Sequence, residues 1–177
     1  MAFIGGGPVV EELDAKFWRL TEPLTYEGAV ETFTVPAGFR TDFASVPRAL
    51  VWLIPRYGVY TRAAILHDYL CRTAEVGPAD ADGIFRRSLH EAGVSVPRRW
   101  MMWTAVRFGS RLRGARAVDM LGWLLIAVPS LVFLAVPVLV VTAALLVFWV
   151  VELGFWALGR ITRSTAAPPP KPQMKTA

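Results

Sequence analysis

Only two imidazoles occur in the chain, His67 and His90, and the residues around the first are of the types that water-activating chemistry needs. His67 lies in Ala-Ala-Ile-Leu-His-Asp-Tyr-Leu-Cys (63–71). On a helix it falls beside Tyr60, Ala63, Ala64 and Cys71, and most of these side chains are small enough to let a second helix approach. Asp82 shares a face with Phe85, Arg86 and Leu89 on the next helical stretch. If the two helices pack antiparallel across Gly77-Pro78, its carboxylate reaches the ring of His67. A carboxylate in that place fixes the tautomer and raises the basicity of the imidazole, as a general base for water requires. Asp68 points about a quarter turn away and is free to hold a hard cation near the base. Asp42, on the loop ahead of the helices, is a second carboxylate for the same ion.

Blander readings of these residues stand beside that one. A histidine on a face of small residues also serves as a hydrogen-bonded core residue. Asp82 and Arg86 have the i, i+4 spacing of a surface ion pair. Asp42 and Ser45 suit backbone capping, and no Gly-x-Ser-x-Gly elbow surrounds Ser45 to make it a nucleophile. Asp42, His67 and Asp68 together would also suit a transition metal. His90, near a helix C-terminus, is assigned no role.

The elements that must position these groups follow from the turn signals. Lys16–Tyr26 and Ala29–Val35 are expected as two strands joined at Glu27-Gly28, with Pro23 interrupting the first. Val30, Thr32 and Thr34 alternate with Glu31, Phe33 and Val35, the pattern of a half-buried sheet. Ser45 and Pro47 predict the start of a helix that Pro55 ends. A second helix is predicted from Val59 to about Ala74, a third from Ala79 to Gly93, and a fourth from Pro97 to about Arg113. In the fourth, Met101, Ala105, Phe108 and Leu112 share one face, while Trp100, Trp103, Arg107 and Arg111 share the other. Tryptophan mixed with arginine is the pairing of a membrane headgroup layer, and an ordinary surface helix is the alternative.

From Met120 to Gly159 the only charged side chain is Glu152. About 20 apolar residues span a bilayer core, so this stretch has length for two passes. Pro129 and Pro137 near its middle predict a break, and basic residues at both ends place both flanks on the cytoplasmic side, as a hairpin. Between Arg86 and Arg116 eight arginines face only Glu91. Such a cluster beside an anchor favours anionic lipid headgroups, with Arg98, Arg99, Arg107 and Arg111 as the contacts, over nucleic acid. The single cysteine, Cys71, excludes an internal disulfide and suits a reducing compartment. The N-terminus lacks the basic and apolar runs of a secretory signal.

The string Pro-Ala-Gly-Phe-Arg-Thr-Asp-Phe-Ala-Ser-Val-Pro-Arg (36–48), then Tyr57-Gly-x-Tyr60, Ala63-Ala64-x-x-His67-Asp68-Tyr69-Leu70 and Ala81-Asp82-x-x-Phe85, resembles an uncharacterised family encoded mainly by tailed bacteriophages and prophages. The resemblance covers roughly residues 15–115 and carries no settled activity; the apolar stretch lies outside it. The His-Asp helices are also similar to those of phospholipase A2, most closely the small disulfide-free forms of parvovirus capsids. That resemblance implies that His67 activates water, that Asp68 binds calcium and that Asp82 orients the histidine. The Tyr-x-Gly-x-Gly calcium loop of those enzymes is not matched, since only Tyr57-Gly58 is near, and Cys71 stands where a tyrosine usually follows the pair.

The expected architecture is α+β: an N-terminal arm (1–14), a domain of a small antiparallel sheet and three or four helices (15–116), a transmembrane helical hairpin (117–160) and a disordered Pro-rich tail (161–177). The expected activity is calcium-dependent hydrolysis of a lipid ester at the cytoplasmic face of the host inner membrane, through His67, Asp82, Asp68 and Asp42. The alternative is a non-enzymatic membrane accessory protein for lysis, exclusion of competing phages or virion assembly.

Overall fold

The computed structural model describes residues 2–28, 30–44, 46–111, 117–162 and 168–172. Within the first fourteen residues lie two short strands, β1 (Ala2–Phe3) and β2 (Val10–Glu12), with Gly5, Gly6 and Gly7 between them. Pro23 then splits the extended stretch expected over 16–26, because proline has no N–H to give to a ladder. The result is β3 (Trp18–Leu20) and β4 (Leu24–Glu27), which belong to different sheets. β5 (Thr32–Val35) and β6 (Arg40–Thr41) complete them, in the orders β1-β4-β5 and β2-β3-β6, all antiparallel.

The register decides which side chains point inward. Leu24 opposes Val35 and Tyr26 opposes Phe33, and all four are buried. The alternate pair, Thr25 and Thr34, faces outward with hydroxyls 3.2 Å apart. The inward set packs on Ile65, Leu66 and Leu70 of α1 (Thr61–Thr73) and on Ala81 and Ile84 of α2 (Pro78–Glu91).

Helix limits obey the backbone signals. Proline occupies the first turn of α2, where its missing N–H costs nothing. α1 closes on Ala74 in the left-handed conformation, φ 53°, and the turn after α2 uses Gly93 at φ 74°. The helix expected between Ser45 and Pro55 is instead one 3-10 turn, Arg48–Leu50, closed by Leu50 N–H to Pro47 C=O at 2.8 Å. Seven residues between Pro47 and Pro55 leave little room for more; Ser45 itself lies outside the described residues. α3 spans Val96–Arg111 and forms a second cluster with the first two helices, in which Met102 meets Tyr60, Ala63, Phe85, Leu89 and Val94.

The expected hairpin is corrected: Ala117–Ile161 is one continuous helix, α4. No Gly, Asn or Asp lies between Gly122 and Glu152 to make a reversal. Each of Pro129 and Pro137 removes a single backbone donor, which an apolar helix tolerates. Its 45 residues correspond to about 68 Å of length. The first turns dock on the domain: the Trp123 indole N–H donates to Thr104 C=O at 3.0 Å, Phe108 stacks on Trp123, and Ala127 is buried. Beyond Ser130 the large apolar side chains stand out from the domain, and Leu131, Val132, Phe133, Val136, Leu139 and Val140 are each more than half exposed. Met120–Ile161 is long and apolar enough to cross a membrane.

Candidate functional site

α1 and α2 bring the sequence-predicted pair together. His67 Nε2 lies 2.9 Å from Asp82 Oδ1, and Phe85 tilts over the imidazole with ring centroids 4.9 Å apart. Ala63 and Ala64 permit this approach by offering no bulk on the shared face. Asp82 is 1% exposed, and the imidazole side chain is 16% exposed. The acid is therefore sealed behind the base, and the base is what a small molecule could meet.

His67 lines a cavity of about 400 Å³ together with Asp42, Asp68 and Cys71. Its other walls are mostly apolar and include Phe43, Val46 and Leu50 from the loop and the 3-10 turn, Phe85 from α2, and Met102 and Val106 from α3. Three of the four expected site residues thus face one cavity, and the fourth supports His67 from behind. The loop that carries Asp42 is held in an unusual shape. Phe43 adopts φ 61°, and it is anchored by stacking on Trp18 at 4.8 Å and by its N–H to Thr41 Oγ1 at 3.0 Å. A left-handed non-glycine residue costs about 1 kcal/mol or more, which these contacts offset.

Two residues that sequence reasoning left out of the site belong to it. Arg107 was expected at the lipid surface, but its side chain is only 14% exposed and its Nη1 donates to Asp82 Oδ2 at 3.3 Å. Trp100 and Met101, expected on opposite faces of α3, line one recess against α4, and the helical wheel could not say that Arg107 would find a buried carboxylate on α2. Arg111, the neighbouring expectation, has a side chain outside the described residues. Cys71 Sγ sits 3.6 Å from Nε2 and 4.0 Å from Nδ1 of His67, one helical turn away, as the i, i+4 spacing indicates. The ion pair offered as an alternative, Asp82 with Arg86, gives way to these contacts: Arg86 instead lies over the rings of Trp100 and Trp103.

Electrostatics follow from this packing. Burial alone would lower the basicity of His67, but the hydrogen bond to Asp82 and the neighbouring Cys71 outweigh it and raise the pKa to about 9. Burial pushes the Asp68 carboxyl above its usual range; Arg72 offsets part of that and Asp42 adds to it. Arg72 Nη2 lies 2.9 Å from Asp68 Oδ2. Calcium takes six to eight oxygen ligands. Among the described residues no group of three or more His, Cys, Asp and Glu side chains could hold a metal ion, and one of the two expected carboxylates is already in an ion pair. Among the described residues, side chains alone therefore do not make up the expected calcium site or its transition-metal alternative.

Residues 18–106, half of the chain, match a family described as "Protein of unknown function (DUF1353)". The chain is similar to the "Uncharacterized protein y4jT" of Sinorhizobium fredii (strain NBRC 101917 / NGR234), 32% identical over 78 residues. That alignment takes in 42% of this chain and 23% of the relative, so the chain spans under a quarter of that protein's length. No solved structure matches.

Proposed function

We propose that this chain, which belongs to the DUF1353 family, is a membrane-tethered hydrolase of lipid esters, encoded by a phage or prophage. The observation that carries the reading is the His67–Asp82 pair, 2.9 Å apart, with its imidazole on the wall of a mainly apolar cavity. The phage origin rests on the motif run over residues 36–48. In the reaction, neutral His67 takes a proton from water as the oxygen attacks the ester carbonyl carbon. Asp82 holds the resulting imidazolium in place, and the same proton then passes to the departing alkoxide. The acyl chain lies along Phe43, Leu50, Phe85 and Met102. No step is assigned to a metal ion.

Fatty-acid release from phospholipid vesicles by the full-length protein tests this. His67→Ala should lower release at least about a hundredfold, the ordinary worth of a positioned base, while the thermal transition persists. Release should be the same with and without a chelator. Unchanged release in the His67→Ala variant overturns the hydrolase.

A second reading is favoured by Arg107. Two cationic groups meet one buried carboxylate, and this ties α1, α2 and α3 together. In that case the cluster is a clamp in a non-enzymatic membrane protein. Its loss would lower stability by about 1–3 kcal/mol, and the wild type would release no fatty acid.

A further inference from the structure

α3 and α4 lie side by side in opposite directions. The Phe108 end of α3 meets Trp123, while Pro97, Trp100 and Met101 at its start face Leu125, Ile126 and Pro129 across a recess of about 440 Å³. The start of α3 therefore lies level with the point where α4 leaves the domain, close to Ser130. Arg98, Arg99, Trp100 and Trp103 are on that part of α3, each part-buried, and Val96 is 56% exposed. Cations, indole rings and an exposed aliphatic side chain at one level are the composition of a headgroup layer.

Measured from this level, the far boundary falls at a residue that marks itself. Leu131–Phe148 is 18 residues, about 27 Å along a helix, ahead of a boundary at Trp149–Glu152, and a bilayer core is about 30 Å thick. Glu152 is the first charge in α4 past Ser130, and Trp149, Trp156 and Arg160 cluster around it in sequence. The chain also returns there: the Trp149 indole N–H donates to Pro170 C=O at 2.8 Å, which brings Pro168–Pro172 back alongside the helix. In the sequence, eight arginines between residues 86 and 116 precede the apolar stretch, against Arg160, Arg163, Lys171 and Lys175 after it. The larger positive cluster belongs to the cytoplasm.

We propose that α4 crosses the bilayer once, with Leu131–Phe148 in the hydrocarbon, Trp149 at its far edge, the start of α3 in the cytoplasmic headgroup layer, and residues 168–172 at the opposite face. The occupant of the exposed helix surface is bilayer lipid. This deepens the membrane-tethered part of the proposed function and is independent of hydrolysis.

Labelling with a membrane-impermeant maleimide tests it in right-side-out and inside-out bacterial membrane vesicles holding the full chain. Native Cys71 reports the domain, Cys71→Ser/Lys171→Cys the tail, and Cys71→Ser/Val140→Cys the middle of the span. Cys71 should label in inside-out vesicles alone and Lys171→Cys in right-side-out vesicles alone. Val140→Cys should label in neither until detergent is added. Labelling of Cys71 and Lys171→Cys from the same side overturns the single crossing. Ready labelling of Val140→Cys in intact vesicles overturns the bilayer as occupant. Fatty-acid release by unlabelled vesicles of the native chain, with Cys71 in place, separates these outcomes from failure of the hydrolase reading, since loss of the predicted sidedness with release intact would spare the chemistry.

Discussion

Raising the pH from 6.5 to 9 should drive activity and stability in opposite directions, and one side chain is responsible for both. The imidazole of His67 titrates at about 9 in the folded protein against 6.5 ordinarily. At pH 7 about one molecule in a hundred then carries the free base. Fatty-acid release should climb about tenfold per pH unit and level off near pH 9. The folded state holds the proton more tightly than the unfolded chain does, so this group contributes stability. That contribution is fully present below pH 6.5 and lost as the pH rises through 9. A shift of this size is worth about 3 kcal/mol at 1.36 kcal/mol per unit, and a side chain that is 16% exposed keeps most of it. Release from vesicles gives the first curve, and urea unfolding of the detergent-solubilised chain gives the second. NMR titration of the His67 Cε1 proton, with His90→Gln to remove the only other imidazole, measures the cause directly. A release profile already flat at pH 7, together with constant stability up to pH 9, would refute the reasoning.

Arg107→Gln removes a cation that competes with His67 for the Asp82 carboxylate. The His67 titration should move further upward, the rate at pH 7 should fall, and stability should drop by about 1–3 kcal/mol; a downward NMR shift would contradict this. Ala74→Gly places glycine where the backbone is left-handed, φ 53°. It should raise stability by about 1 kcal/mol in urea unfolding without changing release.

The helices around the candidate site were legible because their punctuation is strong. Gly77-Pro78 and Gly93 marked the ends of α2, and the small residues at 63 and 64 marked the face on which His67 and Asp82 would meet. The sheets were less legible. β1 and β2 are two or three residues long and flank a glycine run, so neither presents a period to count. Pro23 was recognised as an interruption, but that it sends the chain into a second sheet depends on what β4 and β3 pair with, which is not local information. The same holds for Arg107, whose inward turn is decided by a carboxylate 25 residues earlier. Pro129 and Pro137 misled because proline's cost depends on its setting: with no Gly, Asn or Asp beside it, an apolar helix absorbs the lost donor and continues.

The unbroken course of α4 also has a mechanical side. Some 31 residues extend past Ser130, about 46 Å of rod, and its other end is fastened to α3 through Trp123, Thr104 and Phe108. Such a rod works as a lever with its fulcrum at the domain. Thinner bilayers increase the tilt of a long spanning helix; if α4 crosses as proposed, that tilt would load α3, which carries both Met102 in the cavity wall and the guanidinium that grips Asp82. On the proposed single crossing, a change in bilayer thickness would reach the cavity wall and the carboxylate that holds the imidazole without any lipid contact at either.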